Sequence, residues 1–234
     1  MKLYGMAHAF QAVLQNGFSE NFTSEELIAH LIDSEWEERY NRRLARLLNT
    51  AGFRYRSSIE QIDFTQNRGL DKNLILRLSN GDWIQKGENV LITGPTGVGK
   101  SFLACALGHQ ACLQGYKVRY FRGTKLFSKL KYAKADGTYP KELKKIQNQN
   151  VLVLDDFGLH PIDEQSKLIL LEVLEDRYGE KSTIITSQFP IGKWHELIAS
   201  PTLADAICDR LIHNAYKIEL IGDSMRKIFK SNSG

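Results

Sequence analysis

Cysteine is scarce in this chain: Cys105, Cys112 and Cys208 are the three among 234 residues, and no two stand in a C-x-x-C pair. An odd, scattered set excludes a disulfide framework and fits small buried hydrophobes in a reducing compartment. Long apolar runs are missing too. None approaches the roughly 20 residues that a membrane span needs, so a transmembrane class is excluded. The opening stretch, MKLYGMAHAFQAVLQ, lacks the unbroken apolar centre and small-residue cleavage site of a secretion signal, and the expected location is the cytoplasm. The six histidines, His8, His30, His109, His160, His195 and His213, show no H-E-x-x-H or other metal spacing and receive no chemical role. What remains is the composition of an ordered globular protein, 42% apolar and 25% charged with five prolines.

The net charge of +4 is small, but it is unevenly spread. Residues 39 to 56 hold Arg39, Arg42, Arg43, Arg46, Arg54 and Arg56 and no acid. Residues 116 to 150 hold ten bases, among them Lys125, Lys129, Lys131 and Lys134, against Asp136 and Glu142. The two segments carry +6 and +8, leaving −10 elsewhere. Such runs often form solvated helix faces. Two of them in one chain, the second interleaved with Tyr116, Tyr120, Phe121, Phe127, Tyr132 and Tyr139, point instead to a polyphosphate partner such as nucleic acid.

Hydrophobic spacing divides the chain. Leu3, Met6, Phe10, Val13 and Leu14 recur at helical period, and a second helical run goes from Leu27 to Leu48. Thr23 followed by Glu26 is a capping box that opens this second helix, which ends near the NTAG of residues 49 to 52. Residues 53 to 88 read as loop, a turn of helix at 59 to 64 and a helix near 71 to 80. From residue 89 short apolar strands alternate with helices, at 89 to 93, 117 to 122, 150 to 155, 182 to 187 and 216 to 220. The expectation is an all-helical part at 1 to 68 and an α/β part with a five-stranded, mainly parallel sheet at 69 to 234.

The α/β part opens on VLITGPTGVGKSFLACALG, residues 90 to 108. Gly94, Pro95, Thr96, Gly97, Val98, Gly99, Lys100 and Ser101 fit G-x-x-x-x-G-K-[ST], with a strand before and a helix after, and Phe102 continues that helix. Glycines let backbone amides turn toward phosphates, and the helix N-terminus adds partial positive charge. Lys100 reaches the β and γ phosphates of ATP, and Ser101 ligates Mg2+. A second strand, VLVLDDFG at 151 to 158, ends in two acids. Asp155 is placed to hold the metal through water, and Asp156 to orient or deprotonate the attacking water. The strand at 117 to 122 lies between these motifs in sequence, as in P-loop ATPases whose acid strand stands apart from the phosphate-loop strand. STIITSQFP then offers Ser187 or Gln188 as a partner for the γ phosphate or the water; either also suits a plain turn.

Together these residues resemble the IstB-type helper ATPases encoded beside the transposase in insertion sequences, within the AAA+ helicase-loader group that includes DnaC and DnaI. The resemblance rests on LYGMAHAF, EWEERYNRRLARLL, GDWIQKGENVLITGPTGVGKSFLACALG, DRYGEKSTIITSQFP and PTLADAICDRLIHNAYKIELIGDSMRK, and spans nearly the whole chain. It implies an AAA+ fold and a homo-oligomer, ring or helical, that assembles with ATP on duplex DNA and presents or remodels that DNA for a partner transposase. Arg210 in CDRL matches the arginine finger that completes a neighbouring subunit's site, and Arg226 in GDSMRK matches the sensor arginine that contacts the γ phosphate in cis. Many AAA+ proteins have Glu where this chain has Asp156, one methylene shorter, which suits a nucleotide-timed switch better than a fast motor.

The first candidates for DNA contact are Arg42, Arg43 and Arg46, on a helix whose Trp36, Tyr40, Leu44, Leu47 and Leu48 occupy another side. Lys125, Lys129, Lys131 and Lys134 form a second group, because the corresponding region of helicase loaders faces the central channel. Rival readings are a replicative helicase loader that binds single-stranded DNA, a small-molecule P-loop kinase, and a nucleotide-binding scaffold without catalysis. The kinase would need an arginine-rich lid, which the sequence does not show, and would have no use for finger and sensor arginines.

Overall fold

The computed structural model describes residues 2–15, 23–66 and 68–225, and the chain forms two compact units, Met1–Asn49 and Thr50–Gly234. The division falls earlier than the 68/69 boundary expected from sequence. Residues 50 to 66 pack within the second unit: Phe53 lies against Gly108, where an added Cβ would come within 2.6 Å of its ring, and the Ser57 hydroxyl donates to the Phe102 carbonyl at 3.1 Å.

In the first unit, α1 (Tyr4–Gln15) meets α2 (Ser24–Ala51), which carries the chain into the second unit. The capping box forms in both directions. The Thr23 amide donates to Glu26 Oε2 at 2.8 Å and the Glu26 amide to Thr23 Oγ1 at 3.2 Å, a device typically contributing about 1 kcal/mol. Gly5 permits the close approach of the two helices, because a Cβ there would sit 2.4 Å from the Ser34 carbonyl oxygen. Across that contact the buried Glu35 accepts the free amides of Gly5 at 2.8 Å and Met6 at 3.3 Å and pairs with Arg39 at 2.6 Å. Arg39 foremost, with those amides, holds the Glu35 carboxyl below its ordinary range against the opposing effect of burial.

The second unit begins with a 3-10 turn (Ile59–Gln61), α3 (Lys72–Ser79) and α4 (Asp82–Gln85), and continues with β1 (Asn89–Thr93), α5 (Lys100–Leu113) and β2 (Val118–Arg122). Then come α6 (Gly123–Ala135), α7 (Tyr139–Gln147), β3 (Val151–Phe157), α8 (Glu164–Glu175) and β4 (Ser182–Ser187). A 3-10 turn (Ile191–Lys193), α9 (Trp194–Ile198), α10 (Pro201–Ile212) and β5 (Ala215–Glu219) complete it. The sheet order is β2-β3-β4-β1-β5 and every pairing is parallel. Continuous apolar strands suit a sheet covered on both faces. On one face α5 packs across β1, β2, β3 and β4. On the other, Leu91, Phe121, Leu152, Leu154 and Ile185 join Leu126 of α6, Ile169 of α8 and Leu211 of α10 in one core.

The strand standing between β1 and β3 in space is β4, while β2, which intervenes in sequence, lies at the sheet edge. Separation of the acid strand from the phosphate-loop strand is therefore real but is made by a later strand. Two buried polar side chains brace this arrangement. Asn89 donates to the Arg210 and Leu211 carbonyls at 3.0 and 3.3 Å and accepts the Thr183 amide at 2.9 Å. Arg177, 1% exposed, donates to the carbonyls of Ile146 at 3.1 Å, Gln149 at 3.0 Å and Ser182 at 2.5 Å, and burial pushes its pKa down to about 9. Among the described residues no helix is long and apolar enough to cross a membrane.

Candidate nucleotide site

The C-terminal ends of β1, β3 and β4 converge where ligands bind in open parallel sheets. After β1 the chain turns through Gly94, Gly97 and Gly99 with φ of +141°, +91° and +103°, backbone that side-chain-bearing residues rarely adopt. Space demands glycine as well: a Cβ on Gly94 would lie 2.1 Å from the Leu220 carbonyl oxygen, and one on Gly97 the same distance from the Ser224 hydroxyl. The loop leads into the N-terminus of α5, whose first residue, Lys100, is 6% exposed. Its ammonium donates to the Gly94 and Pro95 carbonyls at 2.7 and 2.6 Å. Burial lowers the Lys100 pKa, while Asp156 and Asp155 work in the opposite direction.

The acids owe their placement to an irregularity in the sheet. Leu154 pairs with Ile185 and Phe157 with Ser187, so Asp155 and Asp156 together oppose the single residue Thr186. Such a bulge re-aims side chains, and Asp156 completes it with a left-handed φ of +58°, which Asp tolerates better than most residues. Thr186 serves both acids, its hydroxyl accepting the Asp156 amide at 3.0 Å and donating to Asp155 Oδ1 at 2.5 Å. Asp155, fully buried, also accepts Ser101 Oγ at 2.8 Å on Oδ1 and Tyr120 OH at 2.5 Å on Oδ2. Burial, then the hydrogen bond to Asp155, keeps the Tyr120 phenol protonated by raising its pKa far above the usual value. The meeting of the Ser101 hydroxyl with the Asp155 carboxylate supplies hard oxygen donors at the loop, a donor set that fits a nucleotide-borne divalent cation.

A cavity of about 390 Å³ adjoins these groups, lined by Thr96, Gly97, Gly99, Lys100, Ser101 and Phe102 of the loop and helix, by Asp156 and Gln188, and by Leu220 and Met225. Its far wall comes from the segment before the sheet, with Arg54, Tyr55, Gln61, Ile62, Asp63, Arg68 and Leu70. Arg68 braces the loop by donating to the Val98 carbonyl at 3.1 Å. Arg54 Nη1 lies 3.5 Å from Asp156 Oδ2 and 3.6 Å from Asp155 Oδ2. Burial opposes its charge, but Tyr55, Tyr120, Asp155 and Asp156 outweigh this and shift its pKa upward. Neither Arg54 nor Thr186 was singled out from sequence as part of the site. Thr186 is one of four hydroxyl residues in STIITS, and nothing in that run sets it apart; Arg54, remote from both motifs in sequence, left no signal either.

Of the paired candidates after β4, Gln188 lines the cavity, whereas the buried Ser187 hydroxyl donates to the Phe157 carbonyl at 2.9 Å and accepts the Phe189 amide at 3.2 Å. Arg210 is not among the cavity-lining residues. On α10 it donates to the Ala206 carbonyl at 2.8 Å and pairs with Glu175 at 2.5 Å, separate from its own chain's phosphate loop. Arg226 lies outside the described residues.

The basic candidates separate by environment. Arg42, Arg43 and Arg46 are exposed on α2, with Arg42 pairing with Glu38 at 2.7 Å and its guanidinium 5.1 Å from the centre of the Tyr4 ring. Trp36 is 66% exposed and stacks on Tyr40 with ring centres 5.6 Å apart, so this part of the apolar side faces outward within its unit, while Leu44, Leu47 and Leu48 are half-buried. On α6, Lys125 and Lys134 are exposed, Lys129 pairs with Glu142 at 2.7 Å, and Lys131 pairs with Asp163.

Comparison with known proteins matches residues 1–233 to the family model described as IstB-like ATP binding protein. The chain is 48% identical over 227 residues to the protein of Sinorhizobium fredii that bears the name insertion sequence ATP-binding protein y4pL, covering 97% of this chain and 93% of that one. It is 29% identical over 234 residues to the IS21 ATP-binding protein of Pseudomonas aeruginosa, covering 100% and 88%. Among solved structures, the DnaC helicase loader superposes with a TM-score of 0.58 at 24% identity, over 75% of this chain and 98% of that one. AMPPCP-bound DnaA from Aquifex aeolicus gives 0.55 at 21% identity, over 73% and 56%. These two likenesses show that the α/β unit shares its fold with those proteins.

Proposed function

Because the chain belongs to the family of IstB-like ATP binding proteins and has the site of a P-loop ATPase, we propose that it is an insertion-sequence helper ATPase. In this reading, ATP binding assembles copies of the chain on duplex DNA and delivers or remodels that DNA for a partner transposase. The observation that carries the reading is the extent of the family match, which takes in the helical unit with its exposed Arg42, Arg43 and Arg46 together with the ATPase unit. A nucleotide site alone would suit many partners, whereas a basic helix joined to it suits a nucleic-acid backbone.

The chemistry assigned to each group is supported by its surroundings in the nucleotide unit and, for Arg210 and Arg226, by the family resemblance alone. The amides of residues 94 to 101 cradle the phosphates, and Lys100 transfers its hydrogen bonds from loop carbonyls to phosphate oxygens. Ser101 and Asp155 would hold Mg2+, which when bound would neutralise phosphate charge. Asp156, held in the bulge by Thr186, aligns the attacking water, and Gln188 is its neighbour across the cavity. Arg210, which does not line its own cavity, completes the site of an adjacent copy, so hydrolysis depends on assembly. Arg226 senses the γ phosphate in cis. Lys125 and Lys134, and Lys129 and Lys131 once freed from Glu142 and Asp163, add phosphate contacts along the DNA.

The test is sedimentation of the protein with duplex or single-stranded DNA in the presence of ATP, ADP or no nucleotide. Cooperative, ATP-dependent assembly on duplex is the expected outcome. Preference for single strand would replace the proposal with a helicase-loader role, and indifference to DNA would remove the nucleic-acid function.

A further inference from the structure

Resting on the reading of the cavity as a Mg·ATP site, we infer that Arg54 is a resident counter-cation of the catalytic carboxylates, which competes with the incoming metal and restrains hydrolysis until it is displaced. The observation is one guanidinium nitrogen shared by both acids, 3.5 Å from Asp156 Oδ2 and 3.6 Å from Asp155 Oδ2, at the edge of the nucleotide cavity.

The position of Arg54 is built into the fold. Its guanidinium lies over the Tyr55 ring at 5.2 Å, and Tyr55 packs on Phe102, the residue after Ser101, with ring centres 6.5 Å apart. On either side the backbone is fastened to the ATPase unit. Arg119 donates to the Thr50 carbonyl, Phe53 fills the space over Gly108, and Ser57 bonds the Phe102 carbonyl. An arginine held in this way presents its charge to the acids from a fixed direction, unlike a long surface side chain sampling solvent.

The consequence is electrostatic. Asp155 is fully buried, and its Oδ1 is already taken by Ser101 and Thr186, so Arg54 and Tyr120 are the groups facing Oδ2. A divalent cation held by Ser101 and Asp155 would share the Asp155 carboxylate with that guanidinium and would be repelled by it. The same nitrogen lies against Asp156 Oδ2, one of the two oxygens able to accept from a reacting water. Loading the metal and freeing Asp156 therefore both require Arg54 to move. Because Arg54 follows the end of α2 by three residues, a pull on that helix reaches the carboxylates through the chain itself.

The experiment measures affinity for a fluorescent ATP analogue as a function of Mg2+ concentration, with DNA-free turnover alongside, for wild type, Arg54→Gln and Arg54→Lys. Removing the charge is expected to lower the Mg2+ concentration needed for half-maximal binding by roughly two- to fivefold, the range set by a partly exposed charge pair. Turnover without DNA rises as well, while Arg54→Lys, which keeps the charge, stays nearer wild type. If Arg54→Gln does not hold its fold in a thermal melt, Arg54→Met supplies the same readout, its apolar stem still resting on Tyr55. An unchanged or increased Mg2+ requirement in the charge-free variant, or a fall in its turnover, overturns the inference. Failure of the wild type to bind the analogue would instead overturn the nucleotide site.

Discussion

Replacing Gly94 with alanine tests whether the phosphate loop depends on the local geometry described above. Gly94 has φ of +141°, and a Cβ there would sit 2.1 Å from the Leu220 carbonyl oxygen and 3.2 Å from the Leu220 Cβ. The obstruction includes backbone, and that backbone is fixed, since the Leu220 amide donates to the Thr93 carbonyl at 2.8 Å. Two costs add. Holding alanine in backbone that glycine alone adopts readily costs about 1–3 kcal/mol. Pushing Leu220 aside loses a hydrogen bond worth about 1 kcal/mol. A loss of about 2–4 kcal/mol corresponds to a fall in melting temperature of roughly 5–15 °C for a unit of this size. Leu220 and Met225 also line the cavity, so ATP binding should weaken in the same protein. Gly192→Ala is the control: it has no atom within 4 Å of an added Cβ, and should leave melting nearly unchanged. A Gly94→Ala protein that melts within a degree of wild type and binds ATP equally well would refute the argument.

Lys100→Ala should abolish ATP binding, whereas Asp156→Asn should bind ATP and hold the DNA-bound assembly without turnover; equilibrium binding and phosphate release distinguish them, and wild-type turnover in either would contradict the site. Arg210→Ala should bind ATP without hydrolysing it, and mixing it with Asp156→Asn should restore some activity through shared sites; failure to restore any would argue against a finger acting in trans. Lys129 and then Lys145 lower the Glu142 pKa from 4.5 to about 2, and Lys131 foremost, helped by Ser166, lowers Asp163 from 3.8 to about 2. Carboxylates depressed in the folded state stabilise it above their unfolded pKa values and lose that contribution as pH falls from about 4.5 toward 2. Glu142→Gln should consequently flatten the acid limb of melting temperature against pH, and an acid limb identical to wild type would count against the pairing.

The strands were legible because each is a short apolar run between breakers, and all five lie within a few residues of their expected positions. The phosphate loop was legible because glycine, lysine and serine at fixed spacing answer to one ligand chemistry. Asp155 and Asp156 were recognisable by type, but sequence could not show that they stand opposite the single residue Thr186. That two-against-one pairing arises from the register between β3 and β4. Ser187 and Gln188 looked equivalent at the strand end, and only the turn after β4 decides that one hydroxyl serves the backbone while the other side chain reaches the cavity. Arg54 stands about a hundred residues before the acids it approaches, and no local pattern encodes such a meeting. Buried Arg177 likewise looked like one more charge in DRYGEK, since its role depends on carbonyls gathered from α7, the turn after it and β4.

The most direct test of the central claim is the anisotropy of labelled duplex DNA titrated with wild type and Lys100→Ala, with and without ATP, across a salt series. The account predicts tight wild-type binding that requires ATP and falls by orders of magnitude with salt if about six or more phosphates are contacted, together with no ATP response in Lys100→Ala. Duplex binding that is identical with and without ATP, or is retained in full by Lys100→Ala, would contradict the claim that this nucleotide site governs assembly on DNA.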